Sequence, residues 1–148
     1  MSDFDARRYA ADLFDAWAKA GDDIDGFMAW FTDDVRVELM VREGAMQGVP
    51  SHYDKAAWRA QAIAESQVSK LVMEITHVLG DASGLVIEAT GRLDIAGHPY
   101  ENRYCFVAEL GEGGKIRAFR MYLDTLYAAQ AVQWLVDAHQ PVPGEERP

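Results

Sequence analysis

The hydrophobic repeat of this chain changes period near residue 70, and few folds accommodate that change. Before it, apolar residues recur at helical steps. Phe4, Tyr9, Leu13, Phe14 and Trp17 share one face of a helix over residues 4–20. Gly21 ends that helix, and Asp22 and Asp23 suit the start of a short second helix from Ile24 to Phe31, with Phe27, Met28, Trp30 and Phe31 as its apolar surface. Val35 to Leu39 alternates apolar and polar as a half-buried strand does. Residues 42–52 read as a loop, and Ser51 or Asp54 caps a third helix over 54–68.

After residue 70 the period is two. Leu71, Met73, Ile75, His77 and Leu79 fall on one strand face. Turns at Gly80–Gly84, Gly97–Pro99 and Gly111–Gly114 then separate strands over Leu85–Ile95, Tyr100–Leu110 and Lys115–Asp124. Thr125 to Ala138 reads as a final helix, Pro141 and Pro143 stop regular structure, and 141–148 is expected to fray. Helices followed by an antiparallel meander predict an α+β domain, with the helices on one face of a curved sheet. The expectation is a single domain over 1–148 with its folded core at 4–130. The uncovered sheet face is left for a homodimer.

Composition narrows the function. The chain has 148 residues, 49 % of them hydrophobic, enough for a sizeable core. Its net charge of −10 lacks the basic footprint of a nucleic-acid binder and opposes anionic membranes. A single cysteine, Cys105, and an acidic N-terminus without signal-peptide order make the cytoplasm the expected compartment. His52, His77, His98 and His139 have no metal-ligand spacing, so neither metal nor cofactor is expected.

Two stretches resemble a known family. Phe31-Thr32-Asp33-Asp34-Val35-Arg36-Val37-Glu38 is similar to the segment that leads into the first strand of ketosteroid-isomerase-like proteins. Pro99-Tyr100-Glu101-Asn102-Arg103-Tyr104, then Gly114-Lys115-Ile116, then Phe119-Arg120-Met121-Tyr122-Leu123-Asp124, resembles the ending of SnoaL-like cyclases in the nuclear-transport-factor-two-like superfamily. The resemblance implies a cone-shaped domain around a pocket for a small hydrophobic molecule. It also places the family's usual polar catalytic positions at Phe14, Leu39, Phe106 and Met121, all apolar here.

Chemistry must then rest on other residues. His77 shares parity with apolar neighbours and is a candidate acid/base. Asn102 and Tyr104 share parity with Phe106 and are candidates to polarise a carbonyl oxygen. Glu88, Arg92 and Asp94 share one face of the 85–95 strand, and an Arg-x-Asp there resembles that of limonene-epoxide-hydrolase-like enzymes. The apolar opposite parity favours an outward set, unless a bulge at Gly91 reverses it. Asp124 is expected to cap the last helix. Trp17, Trp30, Tyr53, Trp58 and Phe119 join the four apolar positions as expected pocket wall. Three functions follow as expectations: an acid/base isomerase, cyclase or dehydratase without cofactor; a non-catalytic binder of an apolar molecule; and an epoxide hydrolase built on Arg92 and Asp94.

Overall fold

The computed structural model describes residues 3–68 and 70–143. Its elements are α1 (Ala6–Ala18), α2 (Ile24–Met28), β1 (Phe31–Leu39), β2 (His52–Tyr53), α3 (Lys55–Val68), β3 (Val72–Asp81), β4 (Gly84–Ile95), β5 (His98–Leu110), β6 (Ile116–Leu123) and α4 (Thr125–Asp137). The strands form one sheet in the order β2-β1-β6-β5-β4-β3, with β1 and β6 parallel and the other neighbours antiparallel. The architecture is α+β, as the period change predicts.

Short side chains set the helix starts. Asp5, Asp23 and Asp124 accept hydrogen bonds from the amides of Arg8, Gly26 and Tyr127, and so cap α1, α2 and α4. At α3, Asp54 rather than Ser51 accepts from Ala57 N, at 2.8 Å. The second helix is shorter than expected, because Phe31 pairs with Ile116 and opens β1 instead. The 42–52 loop ends in a short strand, where His52 and Tyr53 pair with Glu38 and Val37.

One bulge corrects the sequence reading. The register of β3 on β4 shifts between Ile75 and His77, leaving Thr76 as the extra residue. Thr76 Oγ1 donates to Glu88 O at 3.1 Å across that bulge. Parity reverses there: Met73 and Ile75 pack on the core before it, and Val78 does so after it. His77 is therefore exposed, as is Leu79. No bulge occurs at Gly91, which pairs in register with both Met73 and Asn102.

The main core lies between the helices and the inner sheet face. At its centre Trp58 is 1 % exposed, with Trp17 and Tyr53 ring centroids 5.5 and 5.9 Å away. A second cluster joins α4 to the far end of the sheet through Ile95, Tyr100, Ala131, Leu135 and Val142. The packed chain thus extends past residue 130 to Val142. Of the tail expected to fray, 144–148 lie outside the described residues. Trp58→Ala should destabilise the protein by about 3–5 kcal/mol, the usual loss for a buried tryptophan. Urea unfolding measures it, and a loss below about 1 kcal/mol would mean that Trp58 does not anchor this core.

Candidate active site

The inner face of the sheet, α1, α3 and α4 enclose a cavity of about 680 Å³. That volume suits a small organic molecule. Much of its wall is apolar, with Trp17, Leu39, Trp58, Met73, Leu93 and Met121 among the residues lining it. Side chains of Ala128, Ala131 and Leu135 bring α4 across one side.

Two polar groups of residues face this apolar space. The first stands on α3 and β2. Gln61 and Glu65 lie on the helix face that Trp58 begins, at helical steps of three and then four residues, and Tyr53 faces them from β2. Gln61 Nε2 donates to Glu65 Oε1 at 2.9 Å. Gln61 Oε1 and Trp58 Nε1 are buried without a hydrogen-bond partner among the described residues. Rotation of the Gln61 amide would let a protonated Glu65 donate to Oε1, so Gln61 can serve either protonation state.

The Glu65 side chain keeps some accessible surface, which belongs to the cavity wall. Burial under the surrounding protein raises its pKa, and the Gln61 hydrogen bond offsets only part of that rise.

The second group stands on β5. Tyr100 and Tyr104 line the cavity, and their hydroxyls are close enough to influence each other's ionisation. Asn102, between them in sequence, is 2 % exposed. Its Oδ1 accepts from Arg103 N at 2.8 Å and Asp124 N at 3.1 Å. Two backbone donors fix the amide orientation, so Nδ2 donates to Tyr100 Oη at 2.6 Å and to Asp124 O at 2.9 Å. Burial pushes the pKa of both tyrosines up, and for Tyr104 the neighbouring Tyr100 and the Glu65 charge add to it. Tyr53 is raised likewise, first by burial and then by Glu65. All three are neutral donors at ordinary pH.

The sequence-predicted residues divide clearly. Trp17, Leu39, Tyr53, Trp58, Tyr104 and Met121 line the cavity. Phe106 and Phe119 do not; both are fully buried behind it, stacked with centroids 5.4 Å apart. Trp30 packs on Tyr9 at 5.0 Å, away from the cavity, and Phe14 borders a neighbouring groove. Asn102 is a clamp, with all its side-chain hydrogen bonds made inside the protein. His77 is outside because of the Thr76 bulge.

Glu88, Arg92 and Asp94 are also exposed. Arg92 Nε donates to Glu101 at 2.7 Å and its NH1 to Glu74 at 3.0 Å, bridging β5 and β3 on the outer face. Asp94 accepts from Gly97 N at 2.9 Å beside the β4–β5 turn. The Arg-x-Asp pair thus stands outside the cavity, and an epoxide hydrolase built on it is set aside. Sequence reasoning missed Glu65, Gln61 and Tyr100. The signal was present: helical spacing from Trp58 reaches the first two, and the parity of Tyr104 reaches the third.

The sequence profile of the SnoaL-like domain family matches residues 10–119. No curated protein matches the sequence. Among solved structures, an NTF2-like protein from Burkholderia xenovorans is similar with a TM-score of 0.69 at 22 % identity, over 89 % of this chain and 98 % of that one. The BvnE pinacolase of Penicillium brevicompactum gives 0.71 at 15 % identity, over 92 % and 100 %. An LEH-like epoxide hydrolase of M. tuberculosis gives 0.60 at 18 % identity, over 86 % and 92 %. At these identities the likeness shows the fold.

The raised Glu65 pKa carries a stability prediction. The folded state holds the carboxyl proton more tightly than the unfolded state, so stability falls as pH rises from the ordinary glutamate pKa through the folded one. Glu65→Gln should be more resistant to urea than the natural protein at pH 8. The two should converge below about pH 4. Parallel curves at both pH values would show that Glu65 is not desolvated.

Proposed function

The chain belongs to the SnoaL-like domain family, and from that premise we propose that it is an acid/base enzyme, using no cofactor, that moves a proton on a small hydrophobic carbonyl compound. The observation that carries this reading is Glu65: a carboxyl with raised pKa on the wall of an apolar cavity, facing neutral hydroxyl donors. As its pKa rises a carboxylate becomes a stronger base, and its acid form persists closer to neutral pH.

The hydroxyl arithmetic supports the second half of the mechanism. Tyr100 and Tyr104 have two hydroxyl protons between them, and at most one of these can be spent between the two hydroxyls. Asn102 supplies its own proton to the Tyr100 oxygen. One tyrosine proton is therefore available to a ligand oxygen. In the proposed step the Glu65 carboxylate removes a proton from the carbon next to a carbonyl. The electron pair moves onto the carbonyl oxygen, where the tyrosine proton stabilises the developing charge. The Glu65 carboxyl then returns the proton at another carbon, an isomerisation, or to a departing hydroxyl, a dehydration. Gly91 leaves the room that Tyr104 needs, since a Cβ there would meet Tyr104 Cε2 at 2.6 Å.

A non-catalytic binding protein is the second reading. Leu39 and Met121, apolar where the family's usual acids stand, both line the cavity and favour it. Exchange of α-protons in D2O, followed by NMR on a panel of cyclic ketones, separates the two. The protein should accelerate exchange, with an apparent pKa above that of an ordinary glutamate. Glu65→Gln should lower the rate by about 10²–10⁴, and Tyr104→Phe or Gly91→Ala by up to about 10²–10³. Ketones that bind without exchange, or an unchanged rate in Glu65→Gln, would leave the binding reading.

A further inference from the structure

A groove of about 480 Å³ between α1 and β3 lies beside the cavity. Trp17, Ala18, Leu71 and Met73 border both spaces, so the two adjoin. The groove beyond that junction is lined by Ala11, Phe14, Val72 and Ile75. Its charged neighbours, Asp15 and Lys70, stand at the junction, and Asp15 is already paired with Lys19 at 2.8 Å. Val72 also borders the groove, but it pairs with Arg92 and has the parity of the outer sheet face, so Met73 and Ile75 supply the β3 side chains on the groove side. On α1, Ala11 and Ala18 lie seven residues apart on one helix face, and their short side chains keep the channel open.

The two spaces differ in chemistry. The cavity holds the carboxyl, the amide and the hydroxyls. The groove, past Asp15 and Lys70, offers only apolar contact. We propose that the site takes an amphiphile, with a compact oxygenated head beside Glu65 and a slender apolar tail lying between α1 and β3. The position of the head rests on the acid/base reading above; the tail rests on the groove alone.

A series of n-alkan-2-ones from 2-hexanone to 2-tridecanone tests the tail, with binding followed by tryptophan fluorescence or calorimetry. Each added methylene that enters the groove should tighten binding by about fourfold. Ala11→Trp fills the groove from an exposed helix position without touching the cavity. It should leave the short ketones unchanged and abolish the gain for the long ones. Ala11→Asp, a smaller and charged side chain at the same exposed position, should weaken the long ketones in the same way, and reads the proposal if Ala11→Trp fails to fold. Glu65→Gln should leave the length dependence intact, so failure of the catalytic reading remains distinguishable from failure of the tail. A natural protein whose affinity levels off at the same length as Ala11→Trp, or variants that weaken short and long ketones equally, would overturn the proposal.

Discussion

Asn102 makes four hydrogen bonds from one buried amide, and much of the molecule is arranged around them. Two of its bonds grip the backbone of Asp124 from both sides, through its N–H and its carbonyl. That holds the end of β6 against β5 at the point where the chain turns into α4. Asp124 then caps α4 through the Tyr127 amide. A third bond fixes the Tyr100 hydroxyl, and Tyr100 also stacks on Tyr127 with centroids 5.1 Å apart. One side chain therefore sets both a wall of the cavity and the direction of its hydroxyl pair. A buried amide is tolerated because every donor and acceptor it carries is used, and the same completeness makes it unavailable to a ligand.

The fold was legible in the sequence because period is a property of backbone geometry. Helical spacing before residue 70 and alternation after it placed nearly all the elements. What alternation cannot reveal is an inserted residue. Thr76 has ordinary strand chemistry, and nothing in the local pattern marks it as a bulge, yet it sends His77 outward. The short β2 was hidden for a related reason: two residues are too few to show a period, and their pairing with β1 is a tertiary event. The apolar wall was partly legible. Leu39, Trp58 and Met121 were assigned to it correctly, but Phe106 and Phe119 share the inward parity and lie one layer too deep. Parity separates the inside of a sheet from the outside and does not separate core from cavity.

The missed carboxyl has a different explanation. Glu65 sits near the end of a helix whose other charged residues, Lys55 and Arg59, reach solvent, so charge alone suggests an exposed position. Its spacing from Trp58 points the other way. Where an amphipathic pattern carries one ionisable residue on its apolar face, the residue costs stability. Here the costly residue lies on the wall of an apolar cavity, which is the arrangement expected where function and not folding retains it. The burial that shields Trp58 and the burial that raises the Glu65 pKa come from the same packing of α3 over the sheet.

This has a consequence for how chemistry is distributed on the fold. The resemblance places the family's usual acids at Leu39 on β1 and Met121 on β6, two apolar side chains that line the cavity. Desolvation does not depend on which wall carries the carboxyl; it depends on how little water reaches it. A carboxyl on α3 meets the same apolar medium, and β5 can still face it with hydroxyls. Under the proposed acid/base reading the acid stands on a different wall of the same pocket, and the structures alike at 15–22 % identity share the fold. The charge distribution fits an uncharged ligand for this site. The chain carries a net −10, and the basic residues bordering the cavity, Lys19 and Lys70, are exposed rather than deep. A ligand anion seated beside Glu65 would meet no cation there among the described residues and would push the Glu65 pKa higher still. A neutral carbonyl, with its oxygen turned to Tyr100 and Tyr104, meets donors alone.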